Sequence, residues 1–463
     1  MLGKATVDQK QLSLFGNYLS QLIDMQHPLV VLANQLAWHQ IEKQFAHLYG
    51  RVGTPSHPIR KMVGLVLLQS IYKLSDEKVV AAWKENMYYQ YFTGEASIQW
   101  SQPCASSDLV HFRKRIGEAG LKYIFSLTVN LHRPSINQAK EVIVDTTVQE
   151  KNITFPTDAK LYKKVIERCQ KEAKQLGVKL RQTYVRVVKK LMYVQRNMSI
   201  PKRAKEAKKA ISKLRTIAGR QVRELGRQEL KKGKEREYAG LLKTMEAIVS
   251  QEKGTKDKVY SLHEPSVSCI AKGKTGKKYE FGTKVSLASL PNSGVIVGVE
   301  CYPGNPHDSS TLASTIEQVE RLTGKSFERI LVDKGYKGAK LLEGCQSQKV
   351  LPGKKGLQKG SYQYRQYKGC CRRRSEIEAR ISHLKHSHQL DRCYLKGKVG
   401  DIMNGLLAAI GYNLHLLLLQ IGKGVANNQF IFFFLSLRRI YTKFYSLIGS
   451  LHTRLYLSLL TTS

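Results

Sequence analysis

The chain is poor in acidic residues, with 36 Asp and Glu among 463 residues against 76 Lys and Arg, which leaves a formal charge of +40. A field of that sign attracts polyanions, so nucleic acid is the leading partner. An anionic membrane surface is the competing partner, but the basic residues are spread over nearly the whole chain rather than gathered in one juxtamembrane tail. Cysteine offers no framework: the eight thiols include no Cys-x-x-Cys pair, which fits a reducing compartment. His383, His386 and His388 near Cys370, Cys371 and Cys393 have the spacing of no familiar structural zinc site. The glycine- and lysine-rich stretches AKGKTGKKYEFG and LPGKKGLQKG could touch phosphates but do not match G-x-x-x-x-G-K-[ST], so no nucleotide-binding loop is expected.

Long clean hydrophobic runs are also missing. The N-terminus lacks the apolar core of a signal peptide. Gly405 to Ile421 is interrupted by Asn413, His415 and Gln420, and FIFFFLSL (Phe430 to Leu437) stops at Arg438 and Arg439. The first reads as a buried helix, the second is ambiguous, and neither is a clean membrane span, so no membrane partner is expected. What the chain does have is 42% hydrophobic residues, enough to bury the cores of two to four domains.

Residues 1–136 read as a helical domain. Apolar positions recur at helical spacing from Lys61 to Leu74, with Pro58 as a start, and from Glu77 to Phe92, with Gly94 as a stop. A third helix is expected through SSDLVHFRKRIGEAG, capped by Ser106 or Ser107 and carrying the basic cluster Arg113, Lys114 and Arg115 as candidate DNA contacts. Tyr88, Tyr89, Tyr91 and Phe92 could stack on bases, but their helical spacing fits a core better. The texture changes at EVIVDTTVQ (Glu141 to Gln149), a β-branched run that reads as a buried strand. Further strands are expected at Lys277 to Ala288, Gly294 to Gly304 and Glu328 to Gly335, with a helix from Ser309 to Leu322, so residues 137–400 read as an α/β domain with a mixed sheet. Interrupting it is a basic helical insertion, residues 157–257, with 29 Lys and Arg against 11 Asp and Glu. Ile211, Leu214 and Ile217 form an apolar stripe there, so it is more than a solvated spacer. A helical hairpin over DNA and a charged structural arm both fit it, and the net positive charge favours the former. Residues 401–463 read as a C-terminal helical segment and tail.

Three carboxylates are conspicuous. Asp145 interrupts a buried strand, where a carboxylate needs a cation or several donors to offset desolvation. Asp333 ends the apolar run RILVD, at the carboxyl end where open α/β sheets place ligands. Glu378 lies on an expected helix, RRRSEIEARISHLKHSH. Singly, each could be a strand-end Asp or a helix Glu paired with Arg. Together they suit phosphodiester chemistry, because two Mg²⁺ ions held about 3.5–4 Å apart by oxygen ligands activate a nucleophile and stabilise the leaving oxygen. At about 100° per residue, Arg374, Glu378 and Lys385 share a face beside the stripe Ile377, Ile381 and Leu384, whereas Glu376 is expected to face solvent.

The pattern Arg374-x3-Glu378-x6-Lys385, with DKGY at Asp333 and VDTT at Asp145, resembles the DDE transposases of bacterial insertion sequences, in particular the InsH-like branch of the insertion sequence 5 group. YYQYFTG (Tyr88 to Gly94), SSDLVHFRKRIG, GNPHDSSTL (Gly304 to Leu312) and DRCYLKG (Asp391 to Gly397) resemble it as well, so the likeness runs over roughly residues 30 to 420 and fades beyond about 422. The resemblance implies a ribonuclease H-like core with Asp145, Asp333 and Glu378 as catalytic metal ligands. It further implies Tyr336 in support, Arg374 and Lys385 on DNA, and two Mg²⁺ per site with Mn²⁺ able to substitute. It also implies transposon-end recognition by residues 1–136, duplex DNA as partner, a homodimer or larger assembly on DNA, and a cytoplasmic, nucleoid-associated location. One departure is that Cys371 stands where the related pattern often has a Tyr, three residues before the Arg, a position that the resemblance assigns to a phosphate contact and not to the triad. A nuclease without strand transfer and an inactive, DNA-binding descendant are the alternative readings.

Overall fold

A computed structural model describes residues 18–424, apart from residues 51, 54, 232, 234, 272–275, 277, 342–346 and 354–357. The segment Phe430 to Leu437 and the rest of the tail lie outside the described residues, as does most of AKGKTGKK before the second long strand. The described chain divides into two compact units, residues 18–132 with 409–424, and Arg133–Ala408.

The first unit is helical. Its helix Ile59–Tyr72 starts at Pro58, as the sequence indicates, and buries Val63, Leu65, Leu67 and Leu68. The expected single helix from Glu77 to Phe92 is two, Asp76–Glu85 and Met87–Phe92. Asn86 breaks it, because its side chain accepts from the Tyr88 and Tyr89 amides and caps a new start. Phe92 is buried, Tyr89 stacks on Tyr72 and Tyr88 on His27, so protein partners occupy three of these aromatic faces. The third helical segment, Ser106–Asn130, is kinked at Gly117, whose backbone is not helical, and is capped at Ala105 rather than at a serine: the Asp108 carboxylate accepts the Ala105 amide at 2.9 Å. Among the described residues one helix, Gly397–Gly424, has the length and apolarity to cross a membrane, but 67% of its apolar window is buried and Leu406, Ile410 and Leu414 are fully enclosed. Gly411 allows close packing here, since a Cβ would come within 2.2 Å of the Ser70 carbonyl.

Among the described residues the second unit is built on a mixed sheet of seven strands: β1 (Glu141–Lys151), β2 (Ser268–Ala271), β3 (Tyr279–Ser289), β4 (Ile296–Tyr302), β5 (Arg329–Leu331), β6 (Gln348–Val350) and β7 (Arg392–Cys393). The order is β2-β3-β1-β5-β6, with β4 also on β3 and β7 also on β1. β1 is the centre: it runs antiparallel to β3 and parallel to β5, and Val142, Ile143 and Val144 are completely buried. The helix Asp308–Thr323 joins β4 to β5, and Tyr362–Ser387 packs Cys370 and Ile377 against Ile143 and Leu331.

Between β1 and β2 stand four helices, Asp158–Gln175, Val185–Val194, Ala204–Lys231 and Glu235–Ser250. They enclose a core of their own, in which Val165, Ile166 and Cys169 meet Leu214, Ile217, Val222, Met245 and Ile248. Burying such side chains is worth about 1.5–3 kcal/mol each before the entropy of ordering them, so the amphipathic stripe read from the sequence is what holds the insertion together.

Candidate active site

The parallel pairing of β1 with β5 matches Val142 with Ile330 and Ile143 with Leu331. Two residues further along each chain come Asp145 and Asp333, so the alternation of side chains brings both carboxylates to one face at the carboxyl end of β5. β5 is shorter than the sequence suggests. Asp333 leaves the strand because its side chain accepts the Gly335 amide at 2.8 Å and starts a tight turn.

A third carboxylate stands with them. Asp308, the first residue of its helix, accepts from Thr146 Oγ1 at 2.8 Å and from Lys284 Nζ at 2.9 Å. The Cβ that Gly335 lacks would lie 3.0 Å from Asp333 Oδ1 and 3.1 Å from Asp308 Oδ2, so a side chain there would press on both carboxylates. Asp308 carries no role in the sequence reading, although GNPHDSSTL stood out as a motif. The available signal was an acid at a helix start directly after a strand.

The charges in this cluster are unevenly compensated. Burial, reinforced by Asp333 and Asp308, pushes the Asp145 carboxyl up to about 6, against the pull of the Thr146 amide and Arg374. Burial works to raise Asp308 too, but the hydrogen bonds from Lys284 and Thr146 outweigh it and hold this carboxyl below its ordinary value. Tyr336 is fully buried beside them, and its hydroxyl has no hydrogen-bond partner of good geometry. The neighbouring Thr311 hydroxyl is already donated to the Asp308 carbonyl. Burial, followed by the Asp145, Asp308 and Asp333 charges, pushes the phenol above its ordinary range. Hard oxygen donors and a carboxylate whose charge is incompletely offset fit a divalent oxygen-loving cation.

Glu378 is not drawn into this group. Its side chain is 67% exposed and meets Arg374 at 3.2 Å, the same arginine whose charge is felt at Asp145. Among the described residues no three His, Cys, Asp or Glu side chains converge closely enough to hold a metal. Glu376, expected in solvent, is the more enclosed of the two at 34%: it accepts the Asn292 amide at 3.0 Å and pairs with Arg380. Both glutamates flank the buried Ile377, and the β3–β4 turn happens to cover the Glu376 side. Lys385 is half-buried.

The expected basic cluster is divided as well. Arg113 is buried and makes a bidentate pair with Asp76, at 2.7 and 2.6 Å, so it is a structural residue and not a DNA contact. Lys114 and Arg115 are exposed, Arg115 lying over the Tyr49 ring.

Known proteins bear on this geometry. Residues 17–115 match the family described as a transposase domain (DUF772), and residues 252–414 match the transposase DDE domain. The second match contains Lys284, Asp308, Asp333 and Glu378, while Asp145 lies between the two matched stretches. An uncharacterized protein, ORF8 in the nfe locus of Rhizobium meliloti, is 38% identical over 183 residues, which is 38% of this chain and 87% of that protein. No solved structure matches. With a ribonuclease H-like core implied by the second match and carboxylates gathered at the end of its sheet, the chain belongs to the DDE transposases of insertion sequences.

Proposed function

We propose that this transposase, an InsH-like member of the insertion sequence 5 group, cleaves DNA at terminal inverted repeats and joins the resulting 3′-hydroxyl ends to target DNA. The observation that carries the reading is the approach of Asp145 and Asp333 just beyond the paired ends of β1 and β5, where Asp145 is desolvated without a full complement of donors. Asp145 and Asp333 would hold divalent metal from the sheet, and Glu378 would complete the set by turning from Arg374. Two Mg²⁺, replaceable by Mn²⁺, supply a Lewis-acid clamp that activates the attacking oxygen and stabilises the leaving one. Asp308 fixes Thr146, whose amide in turn holds Asp145 Oδ1 at 2.7 Å, so it acts as a positioning residue. Arg374, released from Glu378, and Lys385 would contact phosphate.

Duplex DNA is held by surfaces outside the sheet. Lys114 and Arg115 on the Ser106–Asn130 helix serve end recognition, and the basic insertion adds sequence-independent phosphate contact. Holding both ends of an element requires at least two subunits. Side-by-side nicking of an end-containing substrate tests the centre. Asp145→Asn, Asp333→Asn and Glu378→Gln are expected to lose Mg²⁺-dependent cleavage by orders of magnitude while retaining DNA binding, and Glu376→Gln to cleave nearly normally. Full activity in all four proteins would remove the proposed site. Strand-transfer products separate transposition from simple nuclease action.

A further inference from the structure

Lined by the residue that follows Asp333 though by none of the carboxylates, the second unit has a groove of about 760 Å³. Its floor and walls come from the turn after Asp333, from β6 and from the first turns of the Tyr362–Ser387 helix. Four cationic residues line it, Arg329, Lys334, Lys337 and Lys349, and no carboxylate does among the described residues. Arg329 is shared with Glu141. Lys349 is anchored on neutral carbonyls, 2.6 Å from that of Ala339, so its charge is fixed in place but not cancelled. Lys334 and Lys337 are exposed. Tyr367 is held in the wall by donation to the Leu351 carbonyl at 3.0 Å, and Gln363 adds amide donors and acceptors.

We propose that this groove receives a short single-stranded segment of the DNA being cut, splayed from the duplex next to the scissile phosphate. The proposal rests on Asp145 and Asp333 being the cutting site. A groove of this volume encloses a ligand of drug size, which suits a few nucleotides and is too small for a duplex. Cations tracking a groove, an aromatic wall and no acid are the features by which proteins hold single strands. Continuity supports the same occupant: Lys334 directly follows Asp333, and the helix that supplies Tyr367 carries Glu378 eleven residues later, about 16 Å along its axis.

The test measures binding of the full chain without divalent ions, so that cutting cannot contribute, to a blunt oligonucleotide duplex and to the same duplex with one short unpaired arm. The wild-type protein is expected to favour the forked DNA. Lys334→Ala/Lys337→Ala should lose that preference, with forked-DNA affinity falling about tenfold at low salt and the slope of log affinity against log salt flattening by about 1.4, two single-strand phosphate contacts at ~0.7 each. Blunt-duplex affinity should stay the same, and Lys334→Arg/Lys337→Arg should restore the preference. Equal losses on both DNAs, or no loss on either, would overturn the groove assignment. The cutting site is judged separately by metal-dependent nicking with Asp333→Asn, so a failure of one reading is distinguishable from a failure of the other.

Discussion

Strand β1 withdraws three charged side chains from water, Glu141 at its start, the half-buried Asp145 near its middle and Lys151 at its end, and the surroundings treat the last two in opposite ways. Lys151 is saturated: its ammonium donates to Asp401 at 2.6 Å and to the Gly397 carbonyl at 3.1 Å, and lies 3.5 Å from Glu264, all three side chains being nearly inaccessible. Asp401 is further held by Thr283 at 2.8 Å. Asp145, six residues earlier, has one amide donor and the charge of Arg374 set against two like charges. A buried ion whose partners are complete serves the fold, whereas one left short of partners fits a site that takes its counter-ion from outside.

The sharpest way to break this comparison is to exchange the consequences. Lys151→Met leaves Asp401 and Glu264 buried without their cation and is expected to destabilise the protein by about 3–5 kcal/mol, read from urea or thermal unfolding. Asp145→Asn is expected to lose cutting but not to weaken the fold at neutral pH. A large stability loss from Asp145→Asn would make that carboxylate structural and erase the contrast.

A second, smaller effect is a dependence on pH. The folded value of Asp145 is raised from 3.8 to about 6, so between these values the metal-free native state binds a proton more readily than the unfolded chain. Stability from this group is therefore full below about pH 4 and lost as pH rises through 6, by ~3 kcal/mol at most. Unfolding of wild-type and Asp145→Asn proteins across this window should differ by that slope. Parallel curves would show that Asp145 is not desolvated. The smallest expected effect belongs to Asp308→Asn: nicking should fall about 10–100-fold, with a parallel loss in Mn²⁺ affinity measured directly, since Asp308 acts on Asp145 through Thr146. Unchanged Mn²⁺ binding would reduce Asp308 to a partner of Lys284.

Long, strongly patterned segments were legible in the sequence. β1, β3, β4, the Asp308–Thr323 helix and the helical insertion follow from β-branched runs and 3.6-residue stripes, and Asp145 stood out because a charge in such a run is costly. The strands β2, β6 and β7 are two to four residues long, too short to show any period. Arg113 read as one of three equivalent cations, because nothing local reveals that Asp76, 37 positions away, takes its guanidinium. The helix wheel located the buried stripe around Ile377 but could not tell which flank the β3–β4 turn would cover, and so assigned Glu376 to solvent. Asp308 was hidden for a similar reason: its partners Thr146 and Lys284 come from β1 and β3, and only the folded sheet brings them together.

The four helices between β1 and β2 bury one another rather than relying on the sheet, so their stability is largely a private matter of the insertion. The two transposase matches stop at residue 115 and resume at 252, leaving this stretch outside both. Such a segment is free to lengthen, shorten or diverge over generations while the strands on either side keep their register, which makes it the place where relatives of this protein can come to differ most without losing the enzyme beneath.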